Sequence, residues 1–246
     1  MAAKHTWLKR IAAALVILAA ILAVALGVYV SDYSRAGSEA EAIIAVDSAS
    51  DASVAVADFD AFIAVGDENS EYGIVFYPGG KVAPEAYAPL AAKFAEQGVF
   101  CVIAKMPFNL AFLNLNAADS AISAYSGVSH WWIGGHSLGG VAAASYAASH
   151  TSKLEGLALL AAYSTEDLSQ LGLKAELVYG SNDGVVSRER LDACIAQLPA
   201  SSVLQIAGGN HAGFGDYGAQ SGDNEATILP DEQQAQAVAA IVAAMR

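Results

Sequence analysis

The chain has 246 residues, 12 Lys and Arg against 25 Asp and Glu, a net charge of −13, and a 55% hydrophobic composition. That length suits one domain with a full core, and so apolar a composition excludes a disordered chain. The acidic balance argues against a nucleic-acid binder, and the 22 glycines and six prolines follow no collagen-like or solenoid period.

The charge is unevenly distributed. Lys4, Lys9 and Arg10 precede every acidic residue, the first being Asp32. Beyond residue 30 the nine remaining cations face all 25 acids, a balance of −16. Between them Ile11 to Val30 is uncharged. Twenty helical residues span about 30 Å, the thickness of a bilayer's hydrocarbon core. Three basic residues before the run place the N-terminus in the cytoplasm and the rest of the chain outside. The expected organisation is a basic N-terminus over 1–10, a transmembrane signal anchor over 11–30, a linker or peripheral segment over 31–52, and a single folded domain over 53–246. A signal peptide cleaved to release a secreted protein is the competing reading; Ala23-Val24-Ala25 has the small-x-small form but lies inside the apolar run.

From Val54 onward apolar strand-like runs alternate with helical stretches. Ser53–Ala57 and Phe62–Gly66 read as two short strands, and Gly73–Tyr77 as a buried one ended by Pro78-Gly79-Gly80. Pro84 to Gln97 reads as a helix with Pro in its first turn and Gly98 past its end. Val99–Ala104 is the next strand, Asn116–Tyr125 a helical segment, Trp131–Gly134 a strand and Gly139–Ser149 an Ala-rich helix. Leu157–Ala161 and Ala175–Tyr179 read as strands, Ser187–Gln197 as a helix, Val203–Ile206 as a strand and Asp231–Met245 as the closing helix. Continuous apolar strands alternating with helices predict an α/β fold: a mostly parallel sheet covered on both faces. In such sheets the chemistry gathers at the carboxyl ends of the strands.

Gly135-His136-Ser137-Leu138-Gly139 follows the strand WWIG. G-x-S-x-G is a weak pattern alone; a strand running into it and a small-residue helix leaving it place Ser137 on a sharp turn with its hydroxyl at the top of the sheet. A serine nucleophile needs a base and an orienting acid. Of the five histidines, His5 lies before the apolar run, His130 opens a strand, His150 ends a helix, and His136 neighbours Ser137 with its side chain pointing elsewhere. His211, in Gly208-Gly209-Asn210-His211 after the last strand, is the expected base. Asp183, in Gly180-Ser181-Asn182-Asp183-Gly184, is the expected acid, with Glu166 and Asp167 as the fallback. The amides of Leu138 and Gly80 are the expected oxyanion donors. Lys81, Phe108, Asn109 and Tyr163 follow strands and are expected to line a substrate pocket. Asp216, Tyr217 and Gln220 are expected to brace the histidine loop. No metal-ligand spacing is present, and no cofactor is expected.

Together GIVFYPGG (73–80), GHSLG (135–139), YGSND (179–183) and GGNH (208–211) resemble the α/β-hydrolases over most of residues 53–246. The longer run GGNHAGFGDYGAQSGD is similar to the histidine loop of small lidless bacterial hydrolases related to dienelactone hydrolases. Those enzymes carry a cysteine nucleophile where this chain has Ser137, so the resemblance does not extend to their substrate. It implies an α/β-hydrolase fold without a large cap, and a strand order that holds Cys101 and Cys194 too far apart to pair. The expected function is cleavage of a carboxylic ester or related acyl compound through an acyl-enzyme, with a small-molecule acyl substrate, a membrane held through the N-terminal helix and a monomeric soluble domain. An acyltransferase on the same three residues and a catalytically silent surface binding protein are the alternatives.

Overall fold

The computed structural model describes residues 2–45 and 54–246, so the expected strand start at Ser53 and the end of the expected linker, 46–52, lie outside the described residues. The chain divides into two units, Met1–Tyr33 and Ser34–Arg246. The first is a single helix, α1 (Ala2–Ser31). Its stretch Lys9–Ser31, with a mean hydropathy of 3.0, is long and apolar enough to cross a membrane, the one such helix among the described residues.

The second unit starts earlier than the expected domain boundary. Ser34 pairs with Val82 in an isolated bridge, and α2 (Ser38–Ala45) follows. Gly37 N–H donates to the Asp216 carbonyl, and Ala40 N–H donates to Asp216 Oδ2 at 2.9 Å. Asp216 therefore caps α2 and ties it to the histidine loop, a partner 176 residues away.

The strands are β1 (Val56–Asp58), β2 (Phe62–Val65), β3 (Tyr72–Tyr77), β4 (Val99–Ala104), β5 (His130–His136), β6 (Gly156–Leu160), β7 (Lys174–Gly180) and β8 (Ala200–Ile206). They form one sheet in the order β1-β2-β4-β3-β5-β6-β7-β8. Neighbours from β4 through β8 are parallel, whereas β1 with β2 and β2 with β4 are antiparallel. The remaining helices are α3 (Ala88–Glu96), α4 (Ala118–Ala124), α5 (Leu138–Ser149), α6 (Arg188–Ile195) and α7 (Pro230–Met245).

Alternate strand residues supply two cores. Val75, Tyr77, Val102, Ile133, Leu159 and Leu177 pack with Ala118 of α4, Ala143 of α5 and Leu191 of α6. Ile74, Phe76, Ile103, Trp132, Ala158 and Val178 pack with Leu90 of α3 and Ile241 of α7. Burial on both faces explains why these strands read as unbroken apolar runs. The expected helix from Pro84 to Gln97 is split into a 3-10 turn, Pro84–Tyr87, and α3. Pro89 is the reason: it has no N–H to donate and its ring crowds the carbonyl four residues earlier, so it is tolerated only in a helix's first turn. Residues 161–173 alone connect β6 to β7, which leaves no room for a cap domain.

Candidate active site

Ser137 stands between β5 and α5 at φ 52, ψ −122, a conformation a side-chain-bearing residue adopts only when its surroundings impose it. Those surroundings are backbone packed to contact. A Cβ added to Gly135 would lie 2.5 Å from the carbonyl carbon of Gly139, one on Gly139 would lie 2.1 Å from the Tyr77 carbonyl oxygen, and one on Gly140 2.3 Å from Ala162 Cβ. The small residues of GHSLGG thus let α5 leave the sheet directly over the ends of β3 and β5.

At the ends of β7 and β8, His211 Nδ1 donates to Asp183 Oδ2 at 2.8 Å, and both side chains are buried, 1% and 2% exposed. Asp183 Oδ1 accepts from Val185 N–H and Val186 N–H, each at 2.8 Å. With Nδ1 bonded to Asp183, the other ring nitrogen of His211 is Nε2. That atom is buried and has no hydrogen-bond partner among the described residues. Ser137 and His211 line the same cavity, of about 530 Å³, with Leu138, Val141, Ala161, Ala162, Tyr163, Val185, Val186, Ser187 and Arg190. The fallback acids lie elsewhere: Asp167 Oδ1 accepts from Ser169 N–H on the surface.

A dense set of hydrogen bonds positions the histidine loop. Asn210 N–H donates to Gln233 Oε1 at 3.0 Å, and Gln233 Nε2 returns a bond to the Asn210 carbonyl at 2.8 Å. Asp223 accepts from Ala212 N–H through Oδ2 and from Gly184 N–H through Oδ1, at 2.8 and 3.0 Å. One carboxylate thereby joins the loop of His211 to the loop of Asp183.

On the opposite side, Gly80 follows β3 with its backbone against Leu138, whose Cδ2 would stand 2.8 Å from an added Cβ. Leu138 opens α5, where the first amides have no partner within the helix. Tyr87, wholly buried, braces this side. Its hydroxyl accepts from Gly79 N–H at 2.9 Å and lies 2.8 Å from His136 Nδ1. The Tyr87 hydroxyl and His136 Nδ1 share one hydrogen bond, whose donor is set by the His136 tautomer. Burial, then the neighbouring His211 ring, hold the proton affinity of His136 well below the ordinary histidine range, so the ring stays neutral.

Of the expected pocket residues, Tyr163 lines the cavity of Ser137, where its hydroxyl accepts from Arg190 Nη1 at 2.5 Å. Lys81, Phe108 and Asn109 do not line it. The Phe108 and Asn109 backbones are left-handed, φ 55 and 56, and the Phe108 side chain is 58% exposed. Asp216, expected as a brace beside Tyr217 and Gln220, binds α2, while Tyr217 donates to Gln220 Oε1 at 3.1 Å. Tyr87, Asp223, Gln233 and Arg190 had no role in the sequence reading; Asp223 lies inside the GGNHAGFGDYGAQSGD run, the one local signal for any of them. Cys101 and Cys194 are free and buried. Among the described residues no cluster of three His, Cys, Asp or Glu side chains has metal-binding geometry.

None of the curated proteins matches this sequence. Solved structures resemble it in fold. Est1E from Butyrivibrio proteoclasticus has 15% identity and a TM-score of 0.57 over 79% of this chain and 99% of its own. The esterase domain of a Rhodothermus marinus protein has 13% identity and a TM-score of 0.58 over 78% and 97%. A dienelactone hydrolase from Anabaena variabilis has 13% identity and a TM-score of 0.56 over 78% and 97%. The sequence model of the alpha/beta hydrolase family matches residues 73–236, a span that holds the serine turn, the Asp183–His211 pair and the glycine loop after β3, and the chain belongs to that family.

Proposed function

We propose that this protein is a serine hydrolase that cleaves a carboxylic ester or related acyl compound through an acyl-enzyme. One observation carries the reading: the buried Asp183–His211 pair leaves His211 Nε2 without a protein partner at a cavity that Ser137 also lines. In this mechanism Ser137 Oγ attacks the substrate carbonyl carbon while His211 Nε2 takes the hydroxyl proton. The carbonyl oxygen becomes an oxyanion held by the amides of Gly80 and Leu138. When the tetrahedral adduct collapses, the bond to the leaving oxygen breaks and His211 returns the proton to it. Water then attacks the acyl-serine, its proton goes to His211, and the acid departs as Ser137 regains its proton. Asp183 holds the His211 tautomer throughout and stabilises the imidazolium.

Apolar Val141, Ala162, Val185 and Val186 form the walls of the cavity beside the serine, which suits a small or extended acyl group. The esterase named among the structural relatives agrees in chemistry with this reading. In the cell, α1 holds the catalytic unit at a membrane, on the extracytoplasmic side by the bias of Lys4, Lys9 and Arg10.

Treatment of the detergent-solubilised full chain with a fluorophosphonate tests the reading. Labelling of the parent protein, lost in Ser137→Ala and in His211→Ala, is the expected result. A folded parent that remains unlabelled rules the mechanism out.

A further inference from the structure

We propose that the loop after β4 seats the catalytic unit on a lipid bilayer, and that the substrate is an acyl ester carried by that surface. The proposal rests on the hydrolase reading for its second half only.

The loop is unlike the rest of the surface. From Met106 to Ala118 there is no charged residue, in a portion of the chain whose balance is −16. Within eight positions of it, Phe108, Phe112, Leu113 and Leu115 are 58%, 53%, 47% and 40% exposed. Single exposed apolar residues need no explanation, whereas a close group of them marks a surface that meets something apolar. Nor is the loop loosely held. The Tyr77 hydroxyl donates to the Leu115 carbonyl at 2.7 Å and accepts from Ala118 N–H at 2.9 Å. The Asn109 carbonyl accepts from Lys81 N–H at 2.8 Å. Phe108 and Asn109 keep left-handed backbones, an unfavourable conformation for a side-chain-bearing residue that here serves to present an aromatic ring to solvent.

The bilayer is the occupant because of where the chain enters this unit. Ser34 N–H donates to the Lys81 carbonyl, and Ala83 N–H donates to the Ser34 carbonyl, at 2.8 and 2.9 Å. Two hydrogen bonds through Lys81 therefore connect the first residue of the catalytic unit to Asn109 of the apolar loop, and Lys81 is the residue after Gly80. Only Asp32 and Tyr33 lie in sequence between the end of α1 and Ser34. The three Cα steps from Ser31 to Ser34 reach roughly 10 Å, so a unit tethered by a membrane-spanning α1 stays at the lipid surface. The tethered corner, the uncharged apolar loop and the glycine loop beside Ser137 follow the carboxyl ends of the neighbouring parallel strands β3 and β4. A soluble substrate would gain nothing from that placement; an acyl ester leaving the bilayer would have a short path to Ser137.

The test uses the full chain in phosphatidylcholine vesicles. An environment-sensitive fluorophore is attached at Phe112→Cys and, as the control, at Ser149→Cys, exposed at the far end of α5; Cys101 and Cys194 are buried. A spin-labelled phospholipid quenches the first label and leaves the second unaffected if the loop meets lipid. Equal quenching at both sites, or a change at residue 112 that needs no lipid and grows with protein concentration, overturns the docking. In the second arm, the double variant Phe112→Ser, Leu113→Ser is expected to cleave a vesicle-borne ester about tenfold more slowly or worse than the parent, while its rate on a soluble p-nitrophenyl ester stays unchanged. Parallel loss on both esters, or on neither, overturns the substrate assignment. A parent that cleaves neither ester and takes no fluorophosphonate overturns the hydrolase reading, and the quenching result then decides the docking separately.

Discussion

The two sides of the candidate site are built differently. The side at β7 and β8 is held by polar side chains: Asp183 has three N–H donors, Asp223 bridges two loops, and Gln233 exchanges two bonds with Asn210. The side at β3 and β5 is held by close packing at glycines, against backbone at Gly135 and Gly139, with the buried Tyr87 hydroxyl as a polar link. The difference follows from what each side has to do in the proposed reaction. A base that gains and loses a proton needs a carboxylate held against charge changes, whereas amides that wait for an oxyanion need only fixed positions. Substitutions should therefore act differently on the two sides, as lost chemistry on the first and as lost geometry on the second.

The largest expected effect is on the first side. Asp183→Asn keeps the shape of the side chain but offers an amide where His211 needs a carboxylate, so kcat on a soluble ester should fall about a thousandfold or more with the fold intact. Steady-state kinetics with a thermal melt as the control measures it. A loss below about tenfold would place the orienting acid elsewhere.

On the second side the largest effect is on stability. Gly139→Ala places a methyl 2.1 Å from the Tyr77 carbonyl oxygen, with Pro78 O at 2.3 Å. Backbone on both sides cannot yield as a side chain end would. A loss of about 3 kcal/mol or more in denaturant unfolding is expected. Tyr87→Phe should do less and do it selectively. It removes only the hydroxyl that joins Gly79 to His136, so kcat should fall about tenfold while KM is retained, since the lost order concerns the proposed oxyanion donors rather than the cavity. An equal fall in Tyr87→Phe of stability and of binding, with kcat unchanged, would show the hydroxyl to be structural only.

The sequence was most legible where one local pattern carried the whole reason. The apolar runs of β3 to β7 gave the parallel sheet because nearly every residue in them is buried on one face or the other. Gly135, Gly139 and Gly140 could be read from sequence because only a missing side chain permits those contacts. The Asp183–His211 bond joins residues 28 apart, yet each follows a recognisable strand and turn. Tyr87 with His136 and Asp216 with Ala40 are separated by 49 and 176 residues, and nothing local marks either pair. Phe108 shows a third limit. Its position after β4 pointed inward, but the left-handed turn at Phe108 and Asn109 sends the ring outward, and a phenylalanine in that conformation is not something a sequence pattern announces.

The smallest expected effect concerns pH and belongs to both sides at once, because the His136 ring lies 4.6 Å from that of His211, centroid to centroid. Burial and the adjacent His211 make His136 hard to protonate in the folded chain. The unfolded chain takes up that proton near pH 6.5, so the folded state binds fewer protons below that value and loses stability as the pH falls. Above about pH 7 neither state is protonated there and the contribution is flat. Thermal unfolding of the parent from pH 8 to pH 5 should therefore show a decline setting in below about pH 6.5, and His136→Gln should be less stable at pH 8 but decline less steeply. Identical slopes would mean that the ring gains its proton as readily in the fold as out of it, and then a second cation would stand beside His211 just when the proposed reaction makes it an imidazolium. The neutral His136 is what lets a histidine next to the serine brace the glycine loop without opposing the charge that the proposed reaction places on His211.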